Sequence, residues 1–368
     1  MPNVAVVLFQ LGGPDSPEAV EGFLYNLFCD PDIFDFPGAF FARKILARRI
    51  ASRRAHHVAE HYRDIGGNSP ISALTENQAT ALERSLREKG IEATVVVAMR
   101  YWKPLTEDAI RLLQKKSFDH VVLLPLYPHF SRATTYSSVN EWNRKLLEAG
   151  FKSVPAQLVC CYPNHPSYIE GLVDNINQTF ERFGSVDQGE IDLVFSAHGV
   201  PLDFIKRGDP YQLHIEETVR SVMQSGKWPS PHIICYQSKV GSSRWLEPTL
   251  TGTIRTLAQR GRKNLLDVPV AFVTEHVETL HEINIEARED AVRAGIKQFE
   301  MMPALNSHPA FIRCLTELVM DRISAARPFT LCRMLSANGA VPSLCPWYGT
   351  RFAGKRAESE ENKSLATP

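Results

Sequence analysis

The sequence predicts an α/β protein of two similar units, each a parallel sheet flanked by helices. Three observations carry that expectation. Short runs made almost wholly of valine, isoleucine, leucine and other apolar residues recur along the chain, as strands buried on both faces require. Helix-length amphipathic segments separate them, the alternation that builds a parallel sheet with helical cover. The pattern then starts afresh near Val154, after a Gly150–Ser153 stretch that closes a helix.

In chain order, the expected strands are Val4–Leu11, Thr94–Met99, His120–Leu126, Ala156–Cys161, Ile191–Ala197, His232–Gln237 and Val268–Val273. Helices are expected over Ser16–Phe28, Leu105–Lys115, Ala133–Leu147, Pro166–Phe183, Tyr211–Gln224 and Val277–Ala294. This places a first domain at residues 1–150 and a second at 151–305. A helix within 306–330 would pack back on the first domain, and 331–368 would form an extension. Residues 354–368 are polar without hydrophobic periodicity, the composition of a disordered tail.

The 368 residues are 44% hydrophobic and 22% charged, ordinary for a globular protein with a sizeable core. Lys plus Arg equals Asp plus Glu at 41 each, which argues against bulk nucleic-acid binding, since that needs excess positive charge. The apolar start of the chain breaks at Gly12-Gly13-Pro14 without a basic region before it, so no signal peptide is expected. No run approaches the roughly 18 apolar residues of a spanning helix. The expectation is a cytoplasmic protein, soluble or peripheral. Seven scattered cysteines without a CxxC pair are expected to be reduced thiols.

In open α/β sheets, ligands bind beyond the carboxyl ends of the strands. Those ends carry Arg100-Tyr101-Trp102, Tyr127-Pro128-His129, His198-Gly199-Val200-Pro201, Ser238-Lys239 and Glu275-His276-Val277-Glu278. Aromatics, imidazoles, cations and carboxylates thus collect at one rim. The Gly12-Gly13-Pro14 turn lacks the full phosphate-binding pattern, and Pro14 removes an N–H, so a tight strand-to-helix turn explains it better than a nucleotide site.

His198 alone is better explained by a loop-holding role than by catalysis. Glu278, Glu282 and Glu286 change the balance. Their spacing of four puts them in one row on a helix, and the row starts at a strand end. No basic partners follow four residues on, as a stabilising surface face would supply. Such a row suits the passage of protons or hydrated divalent cations. His276 is placed to orient Glu278 or to shuttle protons.

Together these segments resemble ferrochelatase, the enzyme that inserts Fe²⁺ into a porphyrin. The matching stretches are LGGPDSPEAVEGFLYNLFCDPDI, GGNSPI, AMRYWKPLTEDAI, LPLYPHFSRATTYSS, FSAHGVP, CYQSKVG, VAFVTEHVETLHEINIE and MPALNSHP, in family order over roughly residues 4–325. The resemblance implies two Rossmann-like, chelatase-fold domains with a porphyrin cleft between them. It implies catalytic roles for His198, Glu278 and His276, metal contact at His198 and Glu278, and an acidic relay through Glu282 and Glu286. Leu11, Arg100, Tyr101, Tyr127, Trp245 and Phe272 would contact porphyrin, with Arg100 and Lys239 as candidate cations for its propionates. The chemistry fits these types. A porphyrin must lose two N–H protons as the metal enters, which asks for a base near neutral pKa.

The implied reaction joins ferrous iron to protoporphyrin IX, giving protohaem in the terminal step of haem synthesis, with no organic cofactor. A porphyrin carrier without turnover, or a chelatase for coproporphyrin or another metal, is the alternative. Many relatives carry a 2Fe–2S cluster. The available thiols are Cys160 or Cys161 with Cys332 and Cys345, but the close C-terminal spacing of cluster ligands is missing, so ordinary thiols are expected. Residues 23–50 are aromatic, aliphatic and then basic, and match the family's hydrophobic lip. Such a lip would dock peripherally on the inner membrane and favours protoporphyrin IX. The chain is expected to act as a monomer or homodimer.

Overall fold

The computed structural model describes residues 3–34, 39–150, 156–238 and 243–324, and for 39–41 the backbone alone. Strands β1 (Asn3–Gln10), β2 (Glu92–Met99), β3 (His120–Pro125) and β4 (Ala156–Leu158) form one sheet in the order β2-β1-β3-β4. Strands β5 (Ile191–His198), β6 (His232–Gln237), β7 (Asn264–Pro269) and β8 (Gln298–Met301) form a second in the order β6-β5-β7-β8. Every pairing is parallel, and the two orders are the same winding repeated. The predicted α/β class with two similar, helix-flanked parallel sheets is what the chain forms.

Three expectations change. The strand after the restart, β4, pairs with β3, so the first sheet continues past the boundary placed at residue 150. An apolar strand looks alike in either sheet; only its hydrogen-bond partner assigns it. The strand expected at Val268–Val273 begins earlier, at Asn264, and ends at Pro269, whose ring has no N–H to extend the ladder. Residues 270–276 are therefore a loop running into a π-helical segment, Glu278–Ala287. The helices at Ala39–Asp64, Ile71–Glu88 and Leu250–Gln259, and the strand β8, add to the elements expected from the sequence.

One apolar core joins the two sheets. It runs from Val6 and Leu8 of β1 through Tyr168 and Phe311 to Phe195 of β5 and Val268 of β7, all buried. The helix Pro309–Ser324 reaches back to the first half, where Thr316 donates to Ser85 at 2.8 Å. With the sheets held this way, the carboxyl ends of β1 and β3 and of β5 and β7 meet around one cavity.

Candidate active site

The cavity measures about 920 Å³ and is walled by both halves. The first half supplies Leu11, Phe23, Leu27, Phe34, Tyr101 and Tyr127; the second supplies His198, Trp245, Phe272, His276, Glu278 and Glu282. A polar group in such a place is costly unless paired, and the acid–base groups are paired with one another.

His198, the last residue of β5, sets its Nδ1 3.0 Å from Glu278 Oε2. Glu278 opens the π-helical segment, so strand end and helix start meet head-on. His276 stands on the other side, Nε2 3.6 Å from the same carboxylate oxygen. Its Nδ1 lies 3.0 Å from the Thr274 carbonyl, which can only accept, so the Nδ1 carries a proton and Nε2 is turned to Glu278. Burial would push Glu278 up, but the two imidazoles outweigh it and hold its carboxyl well below the usual range. Burial likewise opposes protonation of His198, yet Glu278 raises its pKa. Glu278 is thus an ionised acceptor between two imidazoles. Trp245 faces His198 edge-on with ring centroids 6.3 Å apart, and Phe272 packs likewise on His276 at 4.8 Å.

Behind this triad the acidic row continues along the π-helical segment and runs from one cavity into another. Glu278 faces the main cavity; Glu282 lines both it and a second cavity of about 600 Å³; Glu286 lines only the second. Burial and the charge of Glu278 push Glu282 up to about 7, against a hydrogen bond from Ser238. Glu286 also joins His61 and His281, whose ligand atoms all lie within 4.8 Å of one another.

Arg100 is not brought to the cavity. Its guanidinium lies 3.0 Å from Asp30 and donates to Ser137 at 2.8 Å, with its side chain 9% exposed. The Tyr101 hydroxyl donates to the same Asp30 at 2.7 Å, while its ring reaches the cavity wall. The charge of Arg100 is met there by a buried carboxylate. Lys239 lies outside the described residues. The cations that do line the cavity are Arg43 and Arg54, on the helix Ala39–Asp64. The basic run in that segment is legible in the sequence; which of its arginines turn inward is not.

Cys160 is buried and Cys161 half-buried, whereas Cys332 and Cys345 lie outside the described residues. Among the described residues no three thiols converge. No helix among the described residues is long and apolar enough to cross a membrane.

The sequence model of the ferrochelatase family matches residues 3–323. The ferrochelatase of Citrifermentans bemidjiense is 46% identical over 317 residues, covering 86% of this chain and 98% of that protein. The chain belongs to the ferrochelatase family. The ferrochelatase of Nostoc sp. is 44% identical over 331 residues, covering 88% of this chain and 83% of its own length. Among solved structures, SirB from Bacillus subtilis with Fe3+ superposes with a TM-score of 0.51 at 11% identity, covering 87% of this chain and 95% of SirB. At that identity the likeness speaks for the fold alone. It places this ferrochelatase-family chain in the chelatase architecture that the sequence predicts.

Proposed function

We propose that this chain is a lyase that inserts ferrous iron into protoporphyrin IX, releasing two protons, as the terminal step of haem synthesis. The observation that carries the reading is Glu278, held ionised at 3.0 Å from His198 and 3.6 Å from His276 inside an apolar cavity. Family membership supports the same chemistry.

In this reading the macrocycle lies between Leu11, Tyr101 and Tyr127 on one side and Trp245 and Phe272 on the other. Arg43 and Arg54 receive the propionates at the mouth. Iron, the substrate, enters past Glu286 and Glu282, where oxygen ligands bind a divalent cation weakly enough to release it. His198 and Glu278 meet the metal at the ring. Pyrrole protons pass to the His198 imidazole, whose charged form the Glu278 carboxylate stabilises, with His276 on the far side of that carboxylate as the exit. Contacts along the rim of the macrocycle compensate for bending it.

The helix Ala39–Asp64 exposes Ile45 and Leu46 among Lys44, Arg48 and Arg49. That surface supports a cytoplasmic enzyme resting on an anionic inner-membrane face. The domains are read as two chelatase-like units with the helix Pro309–Ser324 returning to the first.

The test is anaerobic mixing of purified protein with protoporphyrin IX and Fe²⁺ or Zn²⁺, following metalloporphyrin absorbance. Insertion is expected, faster than with coproporphyrin. No insertion by the wild-type protein would sink the reading. The spectrum before substrate addition would reveal any cluster.

A further inference from the structure

The loop carrying His276 belongs to the second half, yet two glutamines of the first hold it, one at the Thr274 hydroxyl and the other at that hydroxyl and the Val273 carbonyl. Gln10 ends β1, and Gln78 lies on the helix Ile71–Glu88. Gln10, Gln78 and Thr274 between them are 4%, 0% and 2% exposed, so water cannot satisfy their polar atoms. A buried amide without partners is destabilising, and here the partners are supplied across the join of the two halves.

The orientation of each group is forced. The Leu11 N–H donates to Gln10 Oε1 at 3.0 Å, so Gln10 must turn its Nε2 outward. That Nε2 donates to Thr274 Oγ1 at 3.3 Å. The Thr274 hydroxyl has one proton, and it goes to Gln78 Oε1 at 3.1 Å. Gln78 Nε2 then donates to the carbonyls of Asn306 at 2.9 Å and Val273 at 3.4 Å. Hydrogen bonds thus run in one direction from the Leu11 backbone to the residues flanking Thr274, and chains of this kind reinforce each other. The Thr274 carbonyl is the acceptor that fixes His276 Nδ1.

We propose that Gln10, Thr274 and Gln78 are positioning residues, which set the His276 ring against Glu278 and fix the Leu11 wall relative to it. This rests on the proposed reading of the site. A hydroxyl is required at 274 because only it can accept from one glutamine and donate to the other. None of the three touches the reacting atoms; the glutamines hold the Thr274 side chain and its neighbours, and the Thr274 carbonyl holds His276.

The experiment compares Thr274→Val, Thr274→Ser and Gln78→Met. Metal insertion gives kcat, and quenching of protein fluorescence by protoporphyrin IX without metal gives Kd. Thr274→Val and Gln78→Met should lower kcat about tenfold or more, since small displacements near the chemistry are costly, with Kd within about twofold. Thr274→Ser should restore kcat. Unchanged kcat in Thr274→Val, or a loss in kcat matched by Kd and not rescued by serine, would overturn the proposal. A structural glue would lower the yield of folded protein and leave the kcat-to-Kd relation intact, which also counts against it. Should the wild type insert no metal, the proposed function fails and the clasp is judged by the proton resonance of His276 Nδ1–H. That resonance should be protected in the wild type and in Thr274→Ser and lost in Thr274→Val. Its persistence in Thr274→Val refutes the clasp, and Gln78→Met serves the same comparison if the valine variant does not fold.

Discussion

Ser238 donates its hydroxyl to the Glu282 carboxylate across 2.6 Å, at the neck between the main cavity and the second one. The partners come from the end of β6 and from the π-helical segment, 44 residues apart. The contact holds the carboxyl of Glu282 at about 7, lower than burial and Glu278 alone would leave it.

A pH dependence follows for iron uptake. Glu282 is neutral well below about 7 and charged above it, and the charged form is the one that attracts a cation. At limiting iron, insertion should rise with pH through that value. Ser238→Ala removes a pKa-lowering bond, so the rise should move to higher pH. Rates at sub-saturating Fe²⁺ between pH 6 and 9 check this (roughly the range over which such a carboxyl titrates). An unmoved profile would refute the relay role of Glu282.

Loss of the central pair should show in turnover. His198→Ala and Glu278→Gln are expected to lower kcat by about 100-fold or more, the usual worth of a positioned acid–base group. Porphyrin binding, carried by the aromatic walls, should persist. Zinc insertion and fluorescence quenching read the two quantities separately.

Arg100 should matter for folding and not for propionates. Asp30→Ala leaves its guanidinium buried without its nearest carboxylate, a change that costs about 3–5 kcal/mol in comparable pairs. Urea unfolding should register it. If Asp30→Ala unfolds at the wild-type urea midpoint, the buried pair is not structural.

Arg54→Ala should weaken porphyrin binding by up to about fivefold at low ionic strength, the worth of a partly exposed ion pair, and by less in high salt. Kd measured at two salt concentrations is the check. Equal Kd values for wild type and variant would remove Arg54 from the propionate site.

Asp267 is fully buried on β7, accepts a hydrogen bond from Ser196 at 2.7 Å, and is pushed up to about 8 by burial. Its unfolded value lies near 3.8, so between those values folding takes up a proton and stability falls as pH rises. Asp267→Asn removes that dependence. The stability difference in favour of the variant should grow from pH 5 toward about 8 and then level off. Melting temperatures across that range test it, and a constant difference would contradict it.

Much of the molecule is legible in the order of its residues. The alternation of apolar runs and amphipathic helices leads to two parallel sheets because strands covered on both faces need apolar side chains throughout. His198, His276 and Glu278 are legible because they lie just beyond such runs, and Glu282 because it stands four residues after Glu278. Other parts are not. The helix Ala39–Asp64 is polar along most of its length, and its inward arginines lie on no distinct apolar stripe. Strand β8 is four residues long and half-buried, too short for a periodic signal.

The sequence by itself determined the fold class, the family and the candidate acid–base residues, since these depend on residue type and local order. Tertiary structure alone decided which groups share a space. It turned Arg100 to Asp30, assigned β4 to the first sheet, and set Glu282 where two cavities adjoin. It also closed Gln10 and Gln78 on Thr274. Each of these rests on contacts between residues far apart in the chain, and such contacts leave no spacing or periodicity for a sequence to display.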